Sequence, residues 1–253
     1  MTERTTTRPP SERTSERTAE RAPRQRWQIL FARREPALRL RQAELLAEFE
    51  RAFREGGLPL SMTNAARPRA RLKFAANLPV GVELRGEVLE VYLDELTPIG
   101  RIQAAAELLP EGLEIIDARE VWQGFPSAAS QLRAAEYEVE LRARGDATLG
   151  SDDLRGAVVR LLAAEQLPGK RRRGESERRS DSGARDLRPY VEDVEVLEVD
   201  EKARTARLRM VLRLDPSGAG RPEDVVSALD LPLAARQAVR TRLLFVDTPP
   251  IAR

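Results

Sequence analysis

An α+β protein made of two ferredoxin-like (βαββαβ) halves behind a disordered N-terminal tail is what this 253-residue sequence predicts. Three observations lead there. Short β-prone apolar runs alternate with stretches of helical spacing in the order β-α-β-β-α-β. The order starts again near residue 125. The first 24 residues, Arg/Glu/Thr-rich and nearly without aliphatic side chains, hold almost nothing to bury. The expected division is a tail at 1–24, a first half at 25–124, and a second half at 125–253 with a basic loop near 169–185.

The elements follow from local patterns. Trp27-Gln28-Ile29-Leu30-Phe31 is apolar and β-prone, a first strand. Leu45, Leu46, Phe49, Ala52 and Phe53 recur at helical spacing, and Gly56, Gly57 and Pro59 supply the stop. Residues 71–74 alternate, and Leu89, Val91 and Leu93 fall on one strand face. Thr97 is expected to cap a helix with Pro98 at its first position, carrying Ile99, Ile102, Ala106 and Leu109 inward. Residues 113–122 return as a strand.

In the second half, Tyr137, Val139 and Leu141 alternate with Glu136, Glu138 and Glu140. Ser151 is expected to cap a helix with Leu154, Ala157, Val158, Leu161 and Leu162 inward. Residues 191–199 and 206–214 make a hairpin, a helix begins at Arg221-Pro222-Glu223-Asp224, and the chain closes through Leu243-Leu244-Phe245-Val246.

Composition excludes several chemistries. With no Cys there is no disulfide, thiol nucleophile, Cys-ligated zinc or iron–sulfur cluster. With no His the usual base near neutral pH is missing. No dinucleotide, P-loop or nucleophile-elbow motif occurs. No apolar run reaches the ~20 residues that span a bilayer, so no membrane partner is expected. The absence of Cys fits a cytoplasmic protein. No cofactor and no metal are expected. Asp152 and Asp153 read as first-turn helix charges rather than a metal pair, and the Glu136, Glu138, Glu140 row as a solvated face.

Positive charge is local. The net charge is only +2, yet Arg67, Arg69, Arg71 and Lys73 fall within seven residues. Pro68 separates loop from strand. Strand alternation sets Arg69, Arg71 and Lys73 on one face and Leu72 and Phe74 on the other. Such a stripe suits phosphate contacts; the alternative is an ordinary charged outer face. Aromatic partners for stacking bases are not evident on that face. A second run, Lys170-Arg171-Arg172-Arg173 with Arg178 and Arg179, could extend the surface.

Seven short blocks carry a resemblance when taken in order: Phe49-Glu50-Arg51-Ala52-Phe53-Arg54 with Gly57-Leu58-Pro59-Leu60; Arg67-Pro68-Arg69 through Ala75; Leu78-Pro79-Val80-Gly81-Val82-Glu83; Ala135 through Leu141; Asp186-Leu187-Arg188-Pro189; Arg221-Pro222-Glu223-Asp224-Val225; and Arg240-Thr241-Arg242-Leu243-Leu244. Together they resemble the radical-SAM-linked domain family of unknown function, found alone or at the C-terminus of radical-SAM proteins with a B12-binding-like domain. A Ser-His-Leu-Asp-like stretch of that family is replaced here by Arg39-Leu40-Arg41-Gln42-Ala43-Glu44, without His. A Gly-Phe-Asn-Pro-like loop is replaced by Asn64-Ala65-Ala66-Arg67-Pro68.

The resemblance implies a radical-SAM enzyme as partner and, beyond it, an RNA-related substrate. It also marks Pro68, Gly81, Asp186, Arg188, Arg221 and Arg240 as structural or family-motif positions, the last four charged ones as an ion-pair framework. The expectation is a non-catalytic accessory module that binds or presents RNA for the enzyme holding the cluster. Its rivals are a scaffold meeting an acidic protein, and an enzyme using Asp186, Glu50 and Arg51. Oligomeric state is not readable from the sequence.

Overall fold

The computed structural model describes residues 23–169, 186–215 and 218–246. Residues 1–22 of the expected tail and the cations from Lys170 to Arg179 lie outside the described residues. Pro23 and Arg24 already belong to the fold: the Arg24 amide donates to the Leu93 carbonyl at 2.8 Å.

The protein is a mixed α/β structure. Its strands are β1 (Gln25–Arg33), β2 (Leu72–Phe74), β3 (Glu83–Leu93), β4 (Leu113–Val121), β5 (Leu132–Ala143), β6 (Val191–Asp200), β7 (Thr205–Asp215), β8 (Gly218–Ala219) and β9 (Leu233–Phe245). Its helices are α1 (Gln42–Glu55), α2 (Ile99–Ala106), α3 (Ala128–Gln131), α4 (Ser151–Ala163) and α5 (Pro222–Ala228).

Strand order explains the repeat seen in the sequence. The first half runs β4-β1-β3-β2 and the second β9-β5-β7-β6, with antiparallel neighbours within each half. Both orders are those of a βαββαβ unit. The halves are not separate sheets, however. β3 pairs in parallel with β9 at Glu83↔Val239 and Leu84↔Arg240, giving one nine-stranded sheet. Two features permit this. β2 covers only the Leu89–Val91 end of β3 and leaves the other end open. A Cβ on Gly86 would lie 2.8 Å from the Thr241 carbonyl oxygen, so only glycine allows β9 so close.

The first core lies between the sheet and α1. Leu45, Phe49, Ala52 and Phe53 form the buried stripe of α1. The Arg41 amide donates to Glu44 at 2.6 Å to close the first turn, and Gly57 at φ +68° turns the chain out of the helix. Phe31 of β1 meets Phe49 edge-on at 5.0 Å and Phe74 of β2 at 5.5 Å. This aromatic contact pins the three-residue β2 to the core. The second core gathers Tyr137, Val139, Leu141, Leu154, Leu208, Met210 and Val225, and reaches the first half at Val88, Ala75 and Ala76.

Several local expectations change. Thr97 does not cap α2: Pro98 occupies that position, while the Thr97 amide donates to Gln25 at 2.7 Å and its hydroxyl donates to the Glu95 carbonyl. Gly150, not Ser151, precedes α4, although Asp152 and Asp153 remain in its first turn, where the helix dipole favours negative charge. β9 begins ten residues before Leu243, because its small residues Ala234, Ala235 and Ala238 conceal the strand from a hydrophobicity pattern. Among the described residues, no helix is long and apolar enough to cross a membrane.

Candidate nucleic-acid interface

The expected stripe lies where a hairpin feeds into β2. Residues 61–63 pair with 69–71: the Thr63 amide donates to the Arg69 carbonyl at 2.8 Å, the Arg69 amide to Thr63 Oγ1 at 3.0 Å, and the Arg71 amide to Ser61 at 2.7 Å. Arg67 and Pro68 sit at the exposed tip. From there, alternation holds. Ala70, Leu72 and Phe74 are buried, Arg69 and Lys73 are exposed, and Arg71 is half-buried. The hairpin and the core-facing phenylalanine therefore fix which way the cations project.

β3 contributes a partner that sequence reasoning missed. The Arg71 guanidinium lies over the Tyr92 ring at 5.5 Å, and Arg26 of β1 approaches the same ring at 5.8 Å. Burial, reinforced by Glu90, raises the Tyr92 phenol above its ordinary range against the pull of Arg26 and Arg71, so the ring stays neutral. Part of the signal was present: if Leu89, Val91 and Leu93 face the core, Tyr92 must face the other way.

Charge pairing separates this stripe from the arginines of β7 and from Arg242 of β9. On β6 and β7, Arg207 pairs with Glu198, and Arg209 with Asp193, Glu195 and Glu136. Arg213 pairs with Asp215, and Arg242 of β9 with Glu136. Burial alone would raise the Glu136 carboxyl. Hydrogen bonds from Thr241 and Arg242, with the nearby Arg209 charge, hold it below its ordinary range instead. Glu136 is thus an engaged group, not part of a solvated row. By contrast, among the described residues no carboxylate ion-pairs with Arg67, Arg69 or Lys73.

The family-motif residues are scattered and structural. Arg240 is buried and ion-paired to Glu87 across the β3–β9 junction, and it also donates to the Asn77 carbonyl at 3.1 and 3.2 Å. Burial opposes its charge, but Glu87 and Tyr137 outweigh that and raise its pKa. Arg33, also buried, donates to the carbonyls of Pro79 and Val82, the latter at 2.7 Å. Together Arg33 and Arg240 hold the 77–82 loop, in which Gly81 adopts φ +77°.

Arg188 donates to the carbonyls of Leu162, Ala164 and Val191 at 3.2, 3.1 and 2.6 Å, capping the C-terminal end of α4. Asp186 accepts from the Leu167 and Arg188 amides at 2.8 and 3.0 Å, which lowers its pKa. Arg221 is exposed, and its carbonyl starts α5. Of the four charged positions, only Arg240 enters a buried ion pair. The side chains of Asp186 and Arg188 serve backbone groups instead, which sequence cannot reveal.

The residues of the enzymatic rival are likewise occupied. Glu50 pairs with Arg54 at 2.7 Å, and Arg51 with Glu48 and Glu55 at 3.0 and 2.7 Å, as i,i+3 and i,i+4 pairs on the exposed surface of α1. Among the described residues, no group of three or more Asp or Glu side chains is placed to hold a metal ion.

The fold and site describe a sheet-based protein with a cationic hairpin beside an aromatic ring. The chain belongs to a family described as uncharacterized protein conserved in bacteria (DUF2344), whose model matches residues 26–222. No curated protein matches it. Among solved structures it is similar to chains from a Cbf5-Nop10-Gar1 complex (14% identity, 86% of this chain and 48% of that one, TM-score 0.49) and from an H/ACA RNP bound to a substrate RNA containing 2'-deoxyuridine (13%, 85% and 47%, TM-score 0.45). It is also similar to a chain of the archaeal box H/ACA sRNP Nop10-Cbf5 complex (15%, 85% and 47%, TM-score 0.41). The chain thus spans about half the length of these three solved chains. At such identities the likeness bears on neither the site nor the activity.

Proposed function

We propose that this protein is a non-catalytic accessory module that binds RNA through Arg67, Arg69, Arg71 and Lys73 and works with a separate radical-SAM enzyme. In this proposal, residues 25–124 carry the RNA-binding face and residues 125–253 support it. The partnership with a radical-SAM enzyme rests on the sequence blocks described above. The observation that carries RNA binding is the contrast in pairing: among the described residues, Arg67, Arg69 and Lys73 lack the carboxylates that pair with Arg207 and Arg209 of β7 and Arg242 of β9. Arg67, Arg69 and Lys73, flanking an arginine that lies on an aromatic ring, suit a phosphate chain with exposed bases.

The test is fluorescence anisotropy with a single-stranded RNA at low salt. The Arg69→Ala/Arg71→Ala variant is expected to bind about tenfold or more weakly, since it removes two charge-assisted contacts, with a melting temperature lowered only slightly, because Arg69 is exposed and Arg71 half-buried. Leu72→Ala, on the buried face, is the control; it is expected to destabilise the fold by about 2–5 kcal/mol. Equal RNA affinity for wild type and the double variant would move the function to a scaffold that meets an acidic protein.

A further inference from the structure

The cation stripe ends at a cavity. About 340 Å³ in volume, it runs along the outer edge of β2 and is walled by both halves of the chain. That volume falls within the range of small-molecule sites. Lys73 stands at the cavity and on the stripe, so the two are continuous.

The edge itself is unusual in this sheet. β4 is interrupted by a bulge opposite Leu30 and Phe31. β6 carries two bulges and the acids Glu192, Asp193, Glu195 and Glu198. Both devices blunt an edge against pairing. β2 pairs with β3 without a register shift. Lys73 opposes Glu90, and the Ala75 amide donates to the Val88 carbonyl at 2.8 Å, so the backbone groups of residues 73 and 75 are directed at β3. By antiparallel alternation, the Leu72 carbonyl and the Phe74 amide point outward, toward the cavity that both residues line. They present one acceptor beside one donor. Every nucleobase carries an adjacent donor and acceptor on its Watson–Crick edge, the edge that proteins read in unpaired RNA.

The walls complete the fit. Leu46, Leu132 and Leu214 provide apolar surface for a flat ring, and the carboxamides of Gln42 and Asn77 add polar groups. Gln42 already accepts the Leu78 amide at 3.1 Å, which fixes its position at the rim. Asp215 also lines the cavity, but its carboxylate pairs with Arg213, which limits repulsion of a nearby phosphate.

We infer that this cavity is a subsite for one unpaired nucleobase of a single-stranded RNA, held at the β2 edge while Lys73, Arg71 and Arg69 follow the adjoining phosphates. This rests on the RNA-binding function proposed above and names its substrate class.

The experiment compares an oligouridylate, an oligoadenylate and an abasic ribose-phosphate oligomer of equal length, all titrated into the full chain. Base-bearing oligomers are expected to bind about tenfold or more tightly than the abasic one, the scale of a single base contact. Ala129→Trp, which fills the cavity from α3, is expected to abolish that preference and leave abasic binding intact. An oligomer carrying 4-thiouridine is expected to crosslink within residues 72–77 or 129–132, a readout that needs no variant. Equal binding of abasic and base-bearing oligomers, or crosslinks confined to other segments, would overturn the base subsite while leaving phosphate binding in place. Failure of all three oligomers to bind would overturn the RNA-binding function, and the subsite with it.

Discussion

Replacing Glu87 with alanine is expected to destabilise the protein by about 3–5 kcal/mol, the range for breaking a buried ion pair from one side. Glu87 on β3 and Arg240 on β9 are both almost fully buried, with side-chain exposures of 1% and 2%. Arg33 lies close enough for Glu87 to support its charge, while burial lowers its pKa. Removing one carboxylate would therefore leave two guanidinium groups inside the protein without compensation. The damage falls where the two halves of the sheet join through only two register positions. Against a typical total stability of about 5–15 kcal/mol, urea denaturation should show a large shift in midpoint. Glu87→Gln keeps an acceptor for Arg240 and should lose less than Glu87→Ala. A variant within about 0.5 kcal/mol of wild type would contradict a closed, water-free junction.

Glu90→Ala is expected to have an effect of the same order, about 3–5 kcal/mol, through a different part of the chain. One Glu90 oxygen accepts from the Arg26 guanidinium, from Gln28 at 3.3 Å and from the Ala128 amide at 2.8 Å. Arg26 in turn donates to the carbonyls of Phe125 and Pro126 at 2.6 and 2.9 Å. This buried clasp fastens the connection between the halves to the first half of the sheet. Without the carboxylate, Arg26 keeps its carbonyls but loses its counter-charge, and the start of α3 loses an amide acceptor. Arg34→Ala provides the comparison. Its partner Glu114 is 58% exposed, and Arg34 itself 56%, so the loss should be about 0–1 kcal/mol. Similar midpoints for the two variants would show that the Arg26–Glu90 pair is not sealed from water.

The repeated βαββαβ order was legible because its strands and helices carry strong periodicity: Leu208, Met210 and Leu212 alternate, and Leu45, Phe49 and Phe53 recur each turn. The joining of the halves was not. It depends on what β2 leaves uncovered and on Gly86, whose meaning appears only when β9 is beside it. The buried charges were hidden for a related reason. Arg26, Arg33, Glu87, Glu90 and Arg240 look like outward residues of ordinary strands in an arginine-rich chain. Arg26 and Glu90 lie on the sheet face away from Phe31, where the 125–128 connection covers them, whereas Arg33, Glu87 and Arg240 share the face of Phe31, Leu84 and Tyr137 and are closed over by the 77–82 loop. At the candidate site, the alternation of Arg69, Arg71 and Lys73 could be read from sequence. The neighbouring Tyr92 required knowing that β2 pairs with β3, and the cavity required the meeting of residues more than 130 positions apart, such as Lys73 and Leu214.

The most direct measurement is the salt dependence of RNA binding by wild type and the Arg69→Ala/Arg71→Ala variant, taken across about 50–200 mM monovalent salt. Each phosphate contact with a single strand releases condensed counterions and contributes a slope of about −0.7 to log K against log salt concentration. If the stripe meets the phosphates, wild-type affinity falls steeply, and the double variant shows a slope shallower by about 1.4, two contacts' worth. Parallel lines for the two proteins, or a wild-type affinity indifferent to salt, would contradict the assignment of Arg67, Arg69, Arg71 and Lys73 as a nucleic-acid interface.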